Sequence, residues 1–405
     1  MIPVLPILAT LALQAAPATQ PAAGQRAVPP DGIELAEAAG GPAADARVGG
    51  LTPLTLISGP MPTTFDVTDD GVIFSAFPRW RDPVNYTVAR IDPETAELTP
   101  FPDAATNAYV PGGDQDPAEH FVCVQAVHLD PDGRLWVLDT GSVNMGGVVP
   151  GGAKLWAYDP DTGGRLRAIT FDVGDDRAVR PDTYLNDVRL DLTRGDAGYA
   201  FVTDSGAGGV IVVDLASGAA RRTLGGEPAL AADLQVSMSL QAEGRALRSD
   251  PPGRGSGPIR IETDGVALDA DRGLLYLTAL INRELVAVSV DELIDPDAEP
   301  TVVKLATMPS ANDGIVLDDA GRLYTTDFED NAIRRYTIAG DPATGLTATE
   351  ELIVQDGRLL WPDCVIVNGD VGYVSSNQLH RQPQFNNGRD LRRPPYVFFT
   401  FPIPE

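Results

Sequence analysis

NDGIVLDDAGRLYTTD (312–327) is the stretch whose reading decides the fold. It runs as alternating apolar residues, a tight turn at Ala320-Gly321, a second apolar run and a closing Asp, the pattern of one β-hairpin. Two further copies are clear, TDGVALDADRGLLYLT (263–278) and VQAVHLDPDGRLWVLD (124–139). Three are weaker: TTFDVTDDGVIFS (63–75), NDVRLDLTRGDAGYAFVTD (186–204) and PDCVIVNGDVGYVSS (362–376). Aligned on the turn or the strand after it, the phrase begins at Thr63, Gln125, Asp187, Asp264, Asp313 and Asp363, spaced 49 to 77 residues apart. That spacing is the period of a propeller blade.

Between the repeats lie second hairpins, such as AKLWAYDPDTGGRLRAITF (153–171) and GVIVVDLASGAARRTL (209–224). Two hairpins per repeat predict four-stranded blades, and six blades predict an all-β six-bladed β-propeller over residues 51–405. PYVFFTFPI (395–403) is expected to join a strand near LTPLTLISG (51–59) and close the ring. A β-sandwich is the alternative, and a fixed repeat with recurring turn chemistry disfavours it.

The 405 residues, 43% of them hydrophobic, suffice for a large core. Fifty-seven acidic side chains against 30 basic ones give a net charge of −27. Nucleic acid and anionic membranes need Lys and Arg to neutralise phosphate, so the balance speaks against both as partners. The only cysteines, Cys123 and Cys364, fall in repeats that are not ring neighbours, and two buried free thiols are expected. Residues 2–16 are apolar but too short to span a bilayer, and small residues follow. This reads as a signal peptide over 1–20 and export to the periplasm or medium, with a flexible Ala/Pro/Gly-rich lead-in over 21–50. No Walker loop, dinucleotide fingerprint, nucleophile elbow or zinc-spaced Cys/His set occurs.

Hairpin geometry locates the candidate site. The start of a hairpin's first strand and the end of its second lie at one edge, and in a propeller the innermost strands surround the axis. The leading Asp187, Asp264, Asp313 and Asp363 and the trailing Asp139, Asp204 and Asp327 should therefore crowd one mouth, with Gln125, Asn186 and Asn312 beside them. Like charges so close raise one another's pKa or require a cation. Phe77, Trp80, Tyr184, Trp361 and Phe328 are candidate walls, although each is also an ordinary packing aromatic. The loops 140–152 and 227–259 should shape the entrance, the second with a short helix in 229–244.

FPRW (77–80), NYT (85–87), FVCVQAV (121–127), LWVLDTG (135–141), YLNDVRLDL (184–192), VTDSGAGGVIVVDL (202–215), LLWPD (359–363) and SSNQLHRQPQFNNGRDLRRPPY (375–396) together resemble the yellow/major royal jelly protein family, including its bacterial members. The resemblance runs from about residue 55 onward. It implies a secreted six-bladed propeller that takes a small molecule into its channel, the ligand being of amine, indole or lactone class. Dopachrome-tautomerase-like chemistry is one implied activity. It would need a carboxylate or His beside a carbonyl, for which Asp187, Asp313, Glu119, His120 and His380 are candidates. Gln125, Asn186, Asp264, Asn312, Asp363, Phe77, Trp80, Tyr184 and Trp361 would then hold the ligand. The alternative is a metal-dependent, gluconolactonase-like enzyme, with Ca²⁺ or another divalent cation held by the hard oxygens of Asp187, Asp264, Asn312 and Asp313. No Glu stands among the leading residues, a departure from the metal set such lactonases use.

Overall fold

The computed structural model describes residues 24–253, 255–342 and 344–404. The expected signal peptide lies outside the described residues. Among those described, no helix is long and apolar enough to cross a membrane.

Six antiparallel sheets surround an axis as six blades. Blade 1 holds Phe65–Val67, Ile73–Ala76, Val88–Ile91 and Leu98–Pro100 from the axis outward. Blade 2 holds Val124–Leu129, Leu135–Asp139, Lys154–Tyr158 and Arg165–Thr170. Leu185–Asp191, Tyr199–Asp204, Val210–Asp214 and Ala220–Thr223 make blade 3. Blade 4 is Thr263–Asp269, Leu274–Ala279, Glu284–Ser289 and Val303–Thr307. Blade 5 runs through Asn312–Leu317, Arg322–Asp327, Ala332–Asp341 and Gly345–Asp356. Blade 6 starts with Pro362–Asn368, Val371–Ser376 and Tyr396–Pro402, and Thr52–Ser58 completes it from the other end of the chain. The ring closes where the sequence placed the closure.

The lead-in carries structure of its own. Arg26–Val28 adds a fifth strand to blade 6, and Arg47–Val48 pairs with Asp356 and Gln355 on blade 5.

The turns show why this sequence folds into hairpins. In blade 2 the Asp130 carboxylate accepts the backbone N–H of Asp132 and Arg134, the Arg134 side chain at 2.6 Å and Trp136 Nε1 at 2.7 Å. Asp318 does the same in blade 5 with Ala320, Arg322 and the Tyr324 hydroxyl. The Gly133 and Gly321 backbones sit at φ 78° and 73°, where a side chain would be strained. One phrase, Asp-x-x-Gly-Arg-Leu-aromatic, thus fixes turn and core aromatic together.

A second device joins blade to blade. In blades 3, 5 and 6 the inner strand bulges just past its leading residue, and the freed N–H donates to a hydroxyl on the next strand of its own blade. That hydroxyl donates in turn to the leading carbonyl of the following blade. Asp187 N–H reaches Thr203 Oγ1, which reaches Asp264 O; Gly314 N–H, Thr326 Oγ1 and Asp363 O repeat it. Cys364 N–H, Ser375 Oγ and Thr63 O complete the step from blade 6 to blade 1. These relays hold the leading residues at one height around the axis.

Apolar clusters fill the gaps between neighbouring blades, for example Trp136, Leu155, Val188, Val202 and Ile211 between blades 2 and 3. The cluster at the blade 6–blade 1 seam is larger. It continues over the upper face through Phe77, Leu240, Ile259, Ile281, Phe328, Trp361 and Leu379. Leu234–Ser239 is helical, with Asp233 capping it through the N–H groups of Gln235 and Val236.

Candidate active site at the upper mouth

Asp264, Asp313 and Asp363 are each 5–8% exposed, and all three line one cavity of about 340 Å³ at the upper end of the axis. Gln125 and Asn186 complete the floor. Trp80, Tyr184, Leu280, Leu379 and Phe385 form walls, and Ser249, Pro251, Pro258 and Ile259 lean in from the 227–259 excursion. Below the floor the channel narrows to about 20 Å³ and then widens into a second cavity of about 710 Å³ at the lower face.

Each floor carboxylate has its own donor. Trp361 Nε1 donates to Asp313 at 2.7 Å, and Asn377 Nδ2 donates to Asp363. A longer chain serves Asp264. Trp80 Nε1 donates to the Tyr184 hydroxyl at 2.7 Å, the hydroxyl to Gln125 Oε1 at 2.8 Å, and Gln125 Nε2 to Asn186 Oδ1 at 3.0 Å. The Asn186 side chain then donates to Asp264. These donors do not offset burial and crowding. Burial, then the charges of Asp313, Asp363 and Asp187, push Asp264 well above the ordinary carboxylate range. Asp363 is pushed up in the same way, by burial and then by Asp313. Burial raises Asp313 to about 7, against the pull of the Trp361 N–H. At neutral pH the floor therefore holds protons as well as charge.

Trp361 is the support behind the floor. It is buried, stacks on Phe328 at 4.0 Å and 11°, and has His380 on its ring at 5.9 Å. Its backbone sits at φ 60°, a left-handed conformation rare for a bulky residue. Such outliers persist where the surroundings over-determine them, and they concentrate at functional sites.

The sequence-predicted residues divide into three groups. Gln125, Asn186, Asp264, Asp313, Asp363, Trp80 and Tyr184 come together as expected. Trp361, Asn312 and His380 stand behind the floor. The Asn312 amide is turned onto Thr278 Oγ1 and the Asp313 carbonyl, and His380 lies 3.6 Å from Glu243. His380 is buried, which lowers its pKa, and Glu243 opposes that shift. Phe77 belongs to the core, fully buried. Glu119 and His120 sit on a loop outside the cavity lining, where the His120 ring meets Asp116 O at 2.9 Å.

Two expectations need correction. Asp187 follows the leading position rather than occupying it. The bulge aligns Asn186 with Asp264, Asp313 and Asp363, and it aligns Asp187 with Gly265, Gly314 and Cys364. Asp187 consequently takes Arg189 Nη1 at 2.9 Å on both carboxylate oxygens and lines the lower cavity. The trailing carboxylates do not crowd the mouth either. Asp139 accepts the N–H groups of Val122, Cys123 and Gly141 together with Lys154 Nζ. Asp204 and Asp327 are likewise spent on backbone N–H groups, Arg222 and Arg334. They pin strands. The seven expected carboxylates reduce to three.

The cysteines are both free, but only Cys123 is fully buried; Cys364 is partly buried and lines the lower cavity. The residues missed from sequence, Arg81, Arg260, Leu280, Leu379, Gln384 and Phe385, come mostly from connecting segments outside the repeated phrase.

The expected metal set does not fit. With Asp187 facing Arg189 and Asn312 turned away, Asp264 and Asp313 are left on their separate donors. Among the described residues no three His, Cys, Asp or Glu side chains converge on a point that would hold an ion.

Comparison with known proteins agrees with the repeats. The family model described as "Major royal jelly protein" matches residues 122–383. The chain belongs to the major royal jelly protein family. Protein yellow of Drosophila erecta is 30% identical over 147 residues, 34% of this chain and 26% of that protein. Protein yellow of Drosophila melanogaster is 29% identical over the same length. The chain therefore aligns with about a quarter of the length of these relatives. Solved structures with a similar fold include a catalytically inactive virginiamycin B lyase from Staphylococcus aureus (11% identity, TM-score 0.47, 87% of this chain and 99% of that one). A gluconolactonase from Xanthomonas campestris is similar at 11% identity and TM-score 0.47, over 91% and 99% of the two chains. A luciferin-regenerating enzyme reaches 12% and 0.49, over 87% and 95%.

Proposed function

We propose that this family member is exported and binds a small aromatic cation in the upper cavity, with Asp264, Asp313 and Asp363 holding the charge. The observation that carries the reading is the floor itself: three buried carboxylates open onto an aromatic-walled cavity, with no Lys or Arg ion-paired to them. A guest cation relieves their mutual repulsion, and Trp80, Tyr184 and Phe385 supply apolar contact and π faces. The volume, about 340 Å³, lies at the small end of ligand pockets.

A catalytic reading rests on Asp313 alone. A carboxyl titrating at about 7 can take a proton from one carbon and return one to an oxygen at neutral pH, as a dopachrome-like tautomerisation requires. The balance needs no metal and no redox partner. Lactone hydrolysis through a bound divalent cation is the alternative, and it would need a set of oxygens other than the four named from sequence.

The test is calorimetric titration of benzylamine, tyramine and dopamine into the purified protein, beside an assay of dopachrome conversion. Saturable amine binding that Asp313→Asn and Asp264→Asn remove supports the site. Conversion abolished by the same changes adds the enzyme. Absence of both, or binding indifferent to both substitutions, sinks the assignment.

A further inference from the structure

The charge of the upper cavity reverses from floor to rim. Its floor carries Asp264, Asp313 and Asp363 and no basic side chain, but the charged side chains at its rim are Arg81 and Arg260, with no carboxylate among the rim residues. Other exposed arginines of this chain also lack an ion pair, but these two stand at the rim of an acidic cavity. Here no nearby acid is ion-paired to either arginine, Asp250 between the rim residues Ser249 and Pro251 included. Asp82 takes Arg392 Nη1 and Nη2 at 2.6 and 2.9 Å. Glu262, two residues beyond Arg260, accepts the Ala232 N–H at 2.6 Å.

Arg260 makes no hydrogen bond or ion pair with any described residue. Its backbone is nevertheless fixed, because Ile259 exchanges both backbone hydrogen bonds with the buried Ser237 hydroxyl and Glu262 N–H donates to Ser205 O. Arg260 also borders an adjoining groove of about 460 Å³, where Asp182 is the nearby acid, without an ion pair between them. Arg81 reaches only a neutral partner, the Gln384 side-chain amide, across the rim. Two guanidinium groups, on separate segments that are each tied to the cap, thus make no ion pair with any described residue at the rim of an acidic cavity.

We propose that Arg260 and Arg81 select a ligand with a carboxylate at its outer end, so that the guest is an aromatic amphoteric molecule: proton-donating or cationic inward, carboxylate outward, with the ring between Trp80 and Phe385. This rests on the reading of the upper cavity as the ligand site. A plain amine must pass two unneutralised cations at the rim. A molecule with a distal carboxylate instead gains charge-assisted, planar hydrogen bonds from them. The ring acts as the spacer. A carboxylate adjacent to the amine, as in an α-amino acid, cannot serve both ends at once.

The experiment compares matched pairs by calorimetry at low ionic strength. Benzylamine and 4-(aminomethyl)benzoate differ only in the distal carboxylate; tyramine and tyrosine differ only in one beside the amine. The distal carboxylate is expected to improve affinity about tenfold, and the adjacent one to give no such gain. In Arg260→Ala the tenfold advantage shrinks, in Arg260→Ala/Arg81→Ala it vanishes, and in Arg260→Glu it inverts. Both positions are exposed, so the variants should fold, which a melting curve checks. Equal affinity for benzylamine and its carboxylate, or an advantage untouched by the double change, overturns the proposal and leaves cation binding standing. Binding of none of the four overturns the cavity assignment as well.

Discussion

The two ends of the channel are built from the same six strands and differ in chemistry. At the upper mouth the leading positions place Asp264, Asp313 and Asp363 on the cavity with no basic side chain paired to them. One residue further along the same strands, the lower mouth has Asp187 closed by Arg189, His128 beside Asp66 at 3.3 Å, and aliphatic walls from Val67, Leu129, Leu268, Val316 and Ile366. The upper mouth also has a cap, made of the 227–259 excursion and the 376–393 loop. Glu243 ties these together: burial raises its pKa, but His380 and Arg381 pull it down to about 2. Unneutralised charge under a cap is what the proposed binding site requires, whereas neutralised charge in an open funnel has no such use for a guest. One residue of register makes the difference.

The largest way to break this contrast is to remove the support of the upper floor. Trp361→Ala deletes a buried aromatic stacked on Phe328 and His380, and should cost roughly 3–5 kcal/mol of stability by chemical denaturation. Trp361→Phe keeps an aromatic ring for the stack and loses the N–H on Asp313 with part of the ring volume, so it should cost less than the Ala change and raise Asp313 further. If the two variants are equally unstable, the ring's packing is not what holds the floor.

Next in size is the binding contrast itself. Removing a charged partner from a buried ion contact costs roughly 1.5–3 kcal/mol, or about ten- to a hundredfold in affinity. Asp313→Asn and Asp264→Asn should weaken amine binding by that range. Asp187→Asn should change it less than threefold, because its charge is spent on Arg189 and faces the lower cavity. Equal losses in all three would erase the distinction between the ends.

How far this was legible in the sequence follows from what the repeat encodes. The turn chemistry of Asp130 and Asp318, the blade period and the closing strand are local or periodic, and they were readable. Three of the four aspartates assigned to the leading position occupy it. Asp187 was misplaced because blade 3 has Asn-Asp where blades 4 to 6 have Asp-Gly or Asp-Cys, and alignment on the turn cannot see a bulge inside the strand. The trailing Asp139, Asp204 and Asp327 look the same as site residues in sequence. Only the backbone N–H groups around them, which are tertiary, reveal them as pins. Arg81 and Arg260 carried no signal at all, since their segments lie outside every repeat.

The pH dependence of stability sharpens the contrast at a smaller scale. The unfolded chain loses its Asp protons near pH 4. The folded floor keeps them until about pH 7 at Asp313, and Asp264 and Asp363 shift the same way. Between those values the native state binds more protons than the unfolded one, so stability falls as pH rises through this window. Asp327, raised to about 6 by burial and then by Asp330, adds to the slope from inside blade 5. Melting temperature should therefore be higher at pH 5 than at pH 8 without ligand. Asp313→Asn should flatten part of the slope and Asp187→Asn should not. Cation affinity should rise over the same interval with release of protons, seen as a buffer-dependent binding enthalpy. A flat melting profile would mean that the floor is already ionised.

The smallest effect belongs to the lower end. Cys364 lines the open funnel and Cys123 is sealed behind Arg79, whose backbone N–H donates to its sulfur at 3.2 Å. Burial, and then the charge of Asp139, pushes the Cys123 thiol up to about 12. Burial also raises Cys364, with Asp187, Asp363 and Asp66 adding to it. A thiol reagent on the native protein should therefore modify Cys364 slowly and Cys123 not at all, while both react in denaturant without reduction. Asp187→Asn removes a nearby negative charge and should speed Cys364 labelling by a small factor, detectable by mass spectrometry as a ratio to wild type. Ligand held in the upper cavity should leave that rate unchanged, because the constriction of about 20 Å³ separates the two ends. Strong protection of Cys364 by an amine would show that guests pass the floor and that the two mouths form one site.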